Sequence, residues 1–329
     1  MSTSDLTPFA VRLLAFLFGS LWGSFFNVAI HRLPFEESVV FPSSRCPSCG
    51  VQIPPWQNIP IVSWCVLRGR AACCSARISP RYVFVEVLAG LLCLAVAEVF
   101  FVRAPQFTPA SDGLLQTGLW FSFAGALLIA TFTDLEHMII PDEISLPGCA
   151  LGLVTATVRH MPGAEAAAMG AGIGFLIIQV PFVWAYELAT GRRGMGEGDA
   201  KLLMMIGAFL GWEGVLFTLA IGSMQGVVAT ALLGAAGKLG VLQGEPESAE
   251  TTSVMPESGA REDPEDPPTE AEGSSAGNDC GSEEALEESR PAEFGRLKIK
   301  FGPFLSLAAL EYLFFGTPLV DWYFGLLTF

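Results

Sequence analysis

The 329-residue chain is 51% hydrophobic and only 16% charged, with 25 Phe and a mean hydropathy of +0.49, which excludes an ordinary pair of water-soluble domains and places most of it in lipid. Its net charge of −15 is local: residues 243–298 hold 16 of the 33 acidic side chains and 4 of the 18 basic ones. With no basic stripe interleaved with aromatics elsewhere, nucleic acid is excluded as a partner.

A helix crossing a hydrocarbon core of about 30 Å needs roughly 20 mostly apolar residues. Eight apolar stretches qualify in chain order, over residues 9–30, 82–102, 114–133, 143–158, 166–188, 200–219, 221–241 and 302–326. The fold class expected is an all-α polytopic membrane protein of about eight transmembrane helices, whose many Gly, Ala and Ser residues suit close helix packing in lipid. The first stretch lacks the features of a cleaved signal peptide and is expected to be retained as a span. Basic residues set the orientation: 15 of the 18 Lys and Arg fall on one side, among them Arg32, Arg45, Arg68, Arg70, Arg77, Arg81, Arg192, Arg193, Lys201 and Lys298, against Arg12, Arg103 and Arg159 on the other. The expected topology has both termini outside and the richly basic loops in the cytoplasm.

Five segments follow from this pattern. Residues 1–30 form the first transmembrane helix, 31–81 a small cytoplasmic Cys-containing domain, 82–242 a transmembrane bundle, 243–298 an acidic insertion, and 299–329 the last helix. The insertion, rich in Pro, Glu, Ser and Gly, buries too little apolar surface to offset its ordering entropy and is expected to be disordered.

Function is sought where ionisable groups meet apolar helices, because a carboxylate at the bilayer centre costs on the order of 3 kcal/mol. Asp134 closes the third stretch, and Asp199 ends Gly196-Glu197-Gly198-Asp199 at the start of the sixth. Both belong on the cytoplasmic side in this topology. Two carboxylates within a few ångströms share one proton, so that one acts as base and the other as acid, as in an aspartic protease. Gly196 and Gly198 would let a substrate backbone approach closely. Taken alone, each Asp fits a helix cap or a solvated end equally well. Asp142, after Pro141, is expected to cap the fourth stretch, while Glu136 and His137 are expected at the interface.

Together these residues resemble the type IV prepilin peptidases, also called prepilin leader peptidases and N-methyltransferases. The resemblance rests on Gly19-Ser20, Gly23-Ser24-Phe25-Phe26-Asn27 through His31-Arg32-Leu33-Pro34, Arg45-Cys46-Pro47-Ser48-Cys49, Asn58-Ile59-Pro60, Ser63-Trp64, Leu67-Arg68-Gly69, Ile78-Ser79-Pro80-Arg81-Tyr82 with Glu86, Thr133-Asp134-Leu135 with Ile140-Pro141-Asp142, and Gly196 through Leu203. It covers nearly all of the chain outside the acidic insertion. It implies an inner-membrane GxGD aspartic endopeptidase that removes the basic leader of prepilins or pseudopilins at the cytoplasmic face, after a Gly. Asp134 and Asp199 match the catalytic pair, with Gly196, Gly198 and Lys201 in support. It also implies N-methylation of the exposed residue, usually Phe, with S-adenosylmethionine as donor. No strand followed by GxGxxG accompanies that second activity, so its site is placed by resemblance alone in the loop after the first helix.

Cys46 and Cys49 form a CxxC on the reducing side, where zinc is a better reading than a disulfide, and four thiolates would staple a loop of this length. The family pattern has a second CxxC, from which this chain departs: Ala71 stands at the third Cys position and Cys74 at the fourth. Cys73 is the substitute fourth ligand and Cys65 a further candidate. Cys93 and Cys149 are expected to pack within spans, and Cys280 falls in the insertion. Two alternatives stay open, an intramembrane protease of the presenilin type and an ion-coupled transporter or channel.

Overall fold

A computed structural model describes residues 8–41, 44–46, 48–105, 108–191, 196–235 and 300–327, with side chains undescribed at 55–56, 233–235 and 317–327. The acidic insertion with Cys280, and Arg192, Arg193 and Lys298, lie outside the described residues.

The described chain is helical, with two isolated β-bridges and no strand. Helix α1 runs over Pro8–Arg32, a short α2 over Val62–Val66, and α3 over Arg81–Ala97, which continues as a π-turn Glu98–Val102. Helix α4 covers Ala110–His137, α5 Asp142–Val154 and α6 Ala164–Ile178, which passes through a π-turn Gln179–Ala185 into α7, Tyr186–Thr190. Helices α8, Glu197–Ala235, and α9, Gly302–Leu327, complete the set.

Small residues decide how these helices meet. Gly19 and Gly23 of α1 face α3 so closely that a Cβ at Gly19 would lie 2.5 Å from Cys93 Cβ and one at Gly23 2.7 Å from Glu86 Cα. The other side of α1 leaves Leu14, Leu17, Leu21 and Trp22 exposed, as a lipid-facing stripe should. Gly170 and Gly174 of α6 make the same close approach to the α8 backbone at Gly207 and Leu203. The first part of α8 is thereby walled in, with Ala200, Leu202, Leu203, Met205 and Ile206 fully buried.

Five described helices are long and apolar enough to cross a membrane: Pro8–Phe35, Arg81–Val102, Ala110–His137, Ala164–Thr190 and Glu197–Leu232. The remaining expected stretches fare differently. Helix α5 has 13 residues, and at 1.5 Å per residue reaches about 20 Å, short of the hydrocarbon core. The sixth and seventh stretches are one continuous helix broken at Gly211, not near residue 220 as hydropathy suggested, and the backbone there (φ 75°, ψ −179°) is one that only glycine adopts readily. Arg159, itself buried, closes both short helices by donating to Gly152 O, Ala208 O and Phe209 O at 2.5, 2.8 and 2.7 Å, so their last carbonyls are satisfied inside the protein.

Cross-links sort the helix ends into two groups. At one end, Arg81 pairs with Glu136, Phe35 packs on the His137 ring at 5.2 Å, and Lys201 bonds Asp142. At the other, Glu98 holds Arg12 and Arg103, and His160 meets Asp112. The Cys-containing segment between α1 and α3 therefore emerges at the end where α4 finishes and α5, α8 and α9 begin.

Candidate active site and thiol cluster

Asp134 sits in the last turn of α4, buried, and Met138 in left-handed conformation ends the helix by returning its N–H to Asp134 O. The Asp134 carboxylate accepts a hydrogen bond at 3.1 Å from the backbone N–H of Gly302, the first residue of α9. Asp199 lies in the first turn of α8 and is partly buried. Asp134 meets Gly302, and Gly302 and Gly198, the neighbour of Asp199, both pack on Ile140, so the two carboxylates come to the same end of the bundle. Lys300 donates to Leu135 O, tying the lead-in of α9 to the end of α4.

Ile140 is the spacer between the two helix starts. A Cβ at Gly198 would lie 3.0 Å from Ile140 Cβ, and one at Gly302 would lie 3.2 Å from Ile140 Cδ1 and 2.7 Å from Asp134 Oδ2. Gly302 thus admits no side chain without displacing the carboxylate. Gly196 is exposed, and a Cβ there would stand 3.8 Å from Asp199 Oδ2, so its bareness keeps the approach to that carboxylate open. Lys201 does not reach the pair: its Nζ donates to Asp142 Oδ2 at 2.5 Å. Asp142 is accordingly no cap; Pro141 holds the N-cap position of α5 and Asp142 is the first helical residue. Gly302 and Lys300 escaped the sequence reading, and Ile140 entered it only as part of the Ile140-Pro141-Asp142 motif. The one local signal for Gly302 was a Gly-Pro pair opening an apolar run.

The Cys segment folds as two matching turns. Arg45 bridges Gln52 around the first and Arg70 bridges Arg77 around the second. Cys46 N–H donates to Val51 O and Gly50 N–H to Cys46 O; Ala71 N–H donates to Ala76 O and Ser75 N–H to Ala71 O, in the same register. Gly50 and Ser75 both take positive φ, 70° and 57°. Superposing the turns sets Ala71 against Cys46, Cys74 against Cys49 and Cys73 against Ser48. Cys73 supplies the missing thiol from the neighbouring position: Cys46, Cys49, Cys73 and Cys74 sulfurs all lie within 4.8 Å of one another. The closest pairs are Cys49 to Cys73 at 3.3 Å and Cys46 to Cys74 at 3.7 Å. Cys65 is exposed and outside the group. Backbone N–H groups of Ser48 and Cys49 lower the Cys46 thiol to about 6, whereas Cys73, facing the Cys49 and Cys46 sulfurs, is pushed up to about 12.

A cavity of about 440 Å³ lies between this segment and the ends of α1 and α3, with Asn27, Trp64, Tyr82 and Glu86 in its wall. Trp64 is fixed by its Nε1–H to Ile78 O at 3.3 Å and by Gly69, where a Cβ would come within 3.0 Å of the indole.

Comparison with known proteins gives one consistent result. Residues 17–100 match the Bacterial Peptidase A24 N-terminal domain, and residues 121–231 match the Type IV leader peptidase family. A prepilin leader peptidase/N-methyltransferase of Stutzerimonas stutzeri is 37% identical over 244 residues, covering 67% of this chain and 80% of the relative. The protein of that name from Pseudomonas aeruginosa is 35% identical over 244 residues with the same coverages, and that from Myxococcus xanthus is 38% identical over 233 residues, covering 70% and 65%. No solved structure matches. The order of the motifs, the paired aspartates and these matches together show that the chain belongs to the type IV leader peptidase family.

Proposed function

We propose that this protein is an aspartic endopeptidase that cuts the basic leader from type IV prepilins, type II secretion pseudopilins or both, and then N-methylates the new N-terminal residue. The observation that carries the first activity is the juxtaposition of Asp134 and Asp199 at one end of the bundle, with the Gly302 amide fixing Asp134. One carboxylate takes a proton from water as that water attacks the scissile carbonyl carbon. The other, protonated, donates to the carbonyl oxygen. Gly196 leaves room for the substrate backbone beside Asp199, and Gly198 lets α8 start against Ile140.

Both carboxylates share the end from which the basic Cys segment emerges, so we place that end in the cytoplasm of an inner-membrane protein with its N-terminus outside. Prepilin substrates then present their leader to the site while their apolar segment stays in lipid. The four thiols suit zinc: with bonds of about 2.3 Å a tetrahedral ion spaces its sulfurs by about 3.8 Å, near the distances here. Cys46, Cys49, Cys73 and Cys74 would hold it, joining the two turns. The 440 Å³ cavity fits S-adenosylmethionine in size, and the guanidinium groups of Arg45 and Arg77 in its wall suit the donor's carboxylate. The donor supplies an electrophilic methyl group; Arg45 and Arg77 would hold its amino-acid end. Neither the site nor the family supports the presenilin-type or transporter readings.

The test is incubation of the purified protein with one prepilin, with and without S-adenosylmethionine, followed by intact-mass measurement. The expected product has lost its leader, and gains one methyl group only with the donor. Asp134→Asn and Asp199→Asn should each reduce cleavage by ~10³-fold or more while the protein still inserts. Normal processing by either variant rules out the pair.

A further inference from the structure

The cavity beside the thiol segment has a second opening. A smaller space of about 320 Å³ adjoins it, walled by Leu21, Phe25 and Val28 of α1 and by Val39 and Val40 of the following loop. The two spaces share Ser24, Val28, Arg32, Ser44 and Asn58. Leu21 and Phe25 belong to the exposed side of α1, so the smaller space opens where that helix faces lipid.

At the junction sits a carboxylate that neither proposed reaction has used. Glu86 is 8% exposed, accepts the Ile61 N–H at 2.7 Å and lines the larger space together with Ser24, one of the residues common to both spaces. Among the described residues no Lys, Arg or His pairs with it. Asn27, one turn beyond Ser24 and 4% exposed, spends its amide N–H on Tyr82 O at 3.0 Å and leaves Oδ1 buried without a partner. A buried carboxylate and a buried orphan acceptor cost free energy unless a donor-rich cation completes them.

We infer that Glu86 and Asn27 bind the free α-amino group of the trimmed substrate, whose apolar N-terminal segment enters sideways from lipid along the groove between α1 and Val39-Val40. An ammonium offers three N–H donors and one positive charge, which matches two acceptors and one unpaired carboxylate. The groove favours a polypeptide over a small solute, because Leu21, Phe25, Val39 and Val40 line its mouth on the lipid side while Ser24, Arg32, Ser44 and Asn58 lie where it meets the larger cavity. This inference rests on the methyl-transfer half of the proposed function. It assigns the proton: the Glu86 carboxylate takes the one that the ammonium must lose before the nitrogen lone pair forms the N–C bond. The donor's C–S bond breaks with its electron pair left on sulfur. Arg45 and Arg77 line only the larger cavity and suit the carboxylate of the donor's amino-acid end, so donor and acceptor occupy different parts of it.

The test uses the full chain in detergent and two labelled peptides of about 20 apolar residues beginning with Phe, one with a free amine and one N-acetylated. The wild type should bind the free-amine peptide about tenfold tighter or more. Glu86→Gln should bring the two affinities together while still cutting a prepilin and still binding S-adenosylhomocysteine like the wild type. Val40→Trp, which fills the groove, should weaken both peptides and leave S-adenosylhomocysteine binding unchanged. Glu86→Gln that keeps its preference for the free amine overturns the inference, as does loss of S-adenosylhomocysteine binding with that preference intact. If Glu86→Gln loses cleavage as well, Val40→Trp decides, and undiminished peptide binding overturns the assignment. A wild type that cuts a prepilin yet binds both peptides alike refutes this inference alone; one that cuts no prepilin refutes the function beneath it.

Discussion

Gly302 shows how much a single hydrogen atom in place of a methyl can decide. Its N–H points at Asp134 Oδ2, and the space a Cβ would need is already occupied by that oxygen at 2.7 Å. Gly302→Ala should therefore lower the rate of leader removal by about 10²-fold through misplacement of the carboxylate, with protein level and membrane insertion unchanged; a single-turnover cleavage assay beside a quantitative blot reads both. The sequence could mark the aspartates as candidates only as a pair, because each alone at the end of an apolar stretch is equally well a cap or a solvated end. It could not mark Gly302, whose contact with Asp134 spans 168 residues without a local pattern. Asp142 was misassigned for the opposite reason. The sequence position after Pro141 is a plausible cap, but the helix starts one residue earlier than that reading needs and the carboxylate goes to Lys201 instead.

Among the elements, the two thiol turns are the clearest case of a departure that the fold absorbs. The backbone register of the second turn copies the first, so the loss of a sulfur at Ala71 leaves the scaffold intact, and Cys73 reaches the cluster from beside Cys74. Sequence alone offered Cys73 only as a substitute, because neighbouring side chains ordinarily diverge; the tight turn closed by Ala71 and Ser75 brings the two sulfurs together. Elemental mass spectrometry should find one zinc per wild-type chain. Cys73→Ser should weaken zinc retention against a chelator by at least the roughly tenfold that loss of even an outer-shell partner costs, whereas Cys65→Ser should leave it as it is. Helix existence was similarly readable from hydropathy, while the break in α8 was not: both sides of Gly211 are apolar, and only the backbone angle reveals the end of a helix there. Arg159 then satisfies carbonyls on α5 and α8 at once, a buried cation whose hydrogen bonds all go to backbone while its guanidinium lies over the Trp120 and Phe209 rings.

For the molecule as a whole, chemistry is gathered at one end. The Asp pair, the Lys201–Asp142 bond, the Arg81–Glu136 pair and the thiol segment all lie there, and Glu98 with its two arginines marks the other. Composition gave no reason for residues 243–298 to take part in that site. Removing residues 245–292 should leave cleavage within about twofold of wild type, measured per unit of inserted protein. The connection on either side of them has a further effect. Both aspartates are encoded before residue 200, yet the amide that orients Asp134 belongs to residue 302. A nascent chain halted after the eighth helix would hold both acids without their alignment. Removing α9 should therefore abolish leader cleavage although both aspartates remain in the chain.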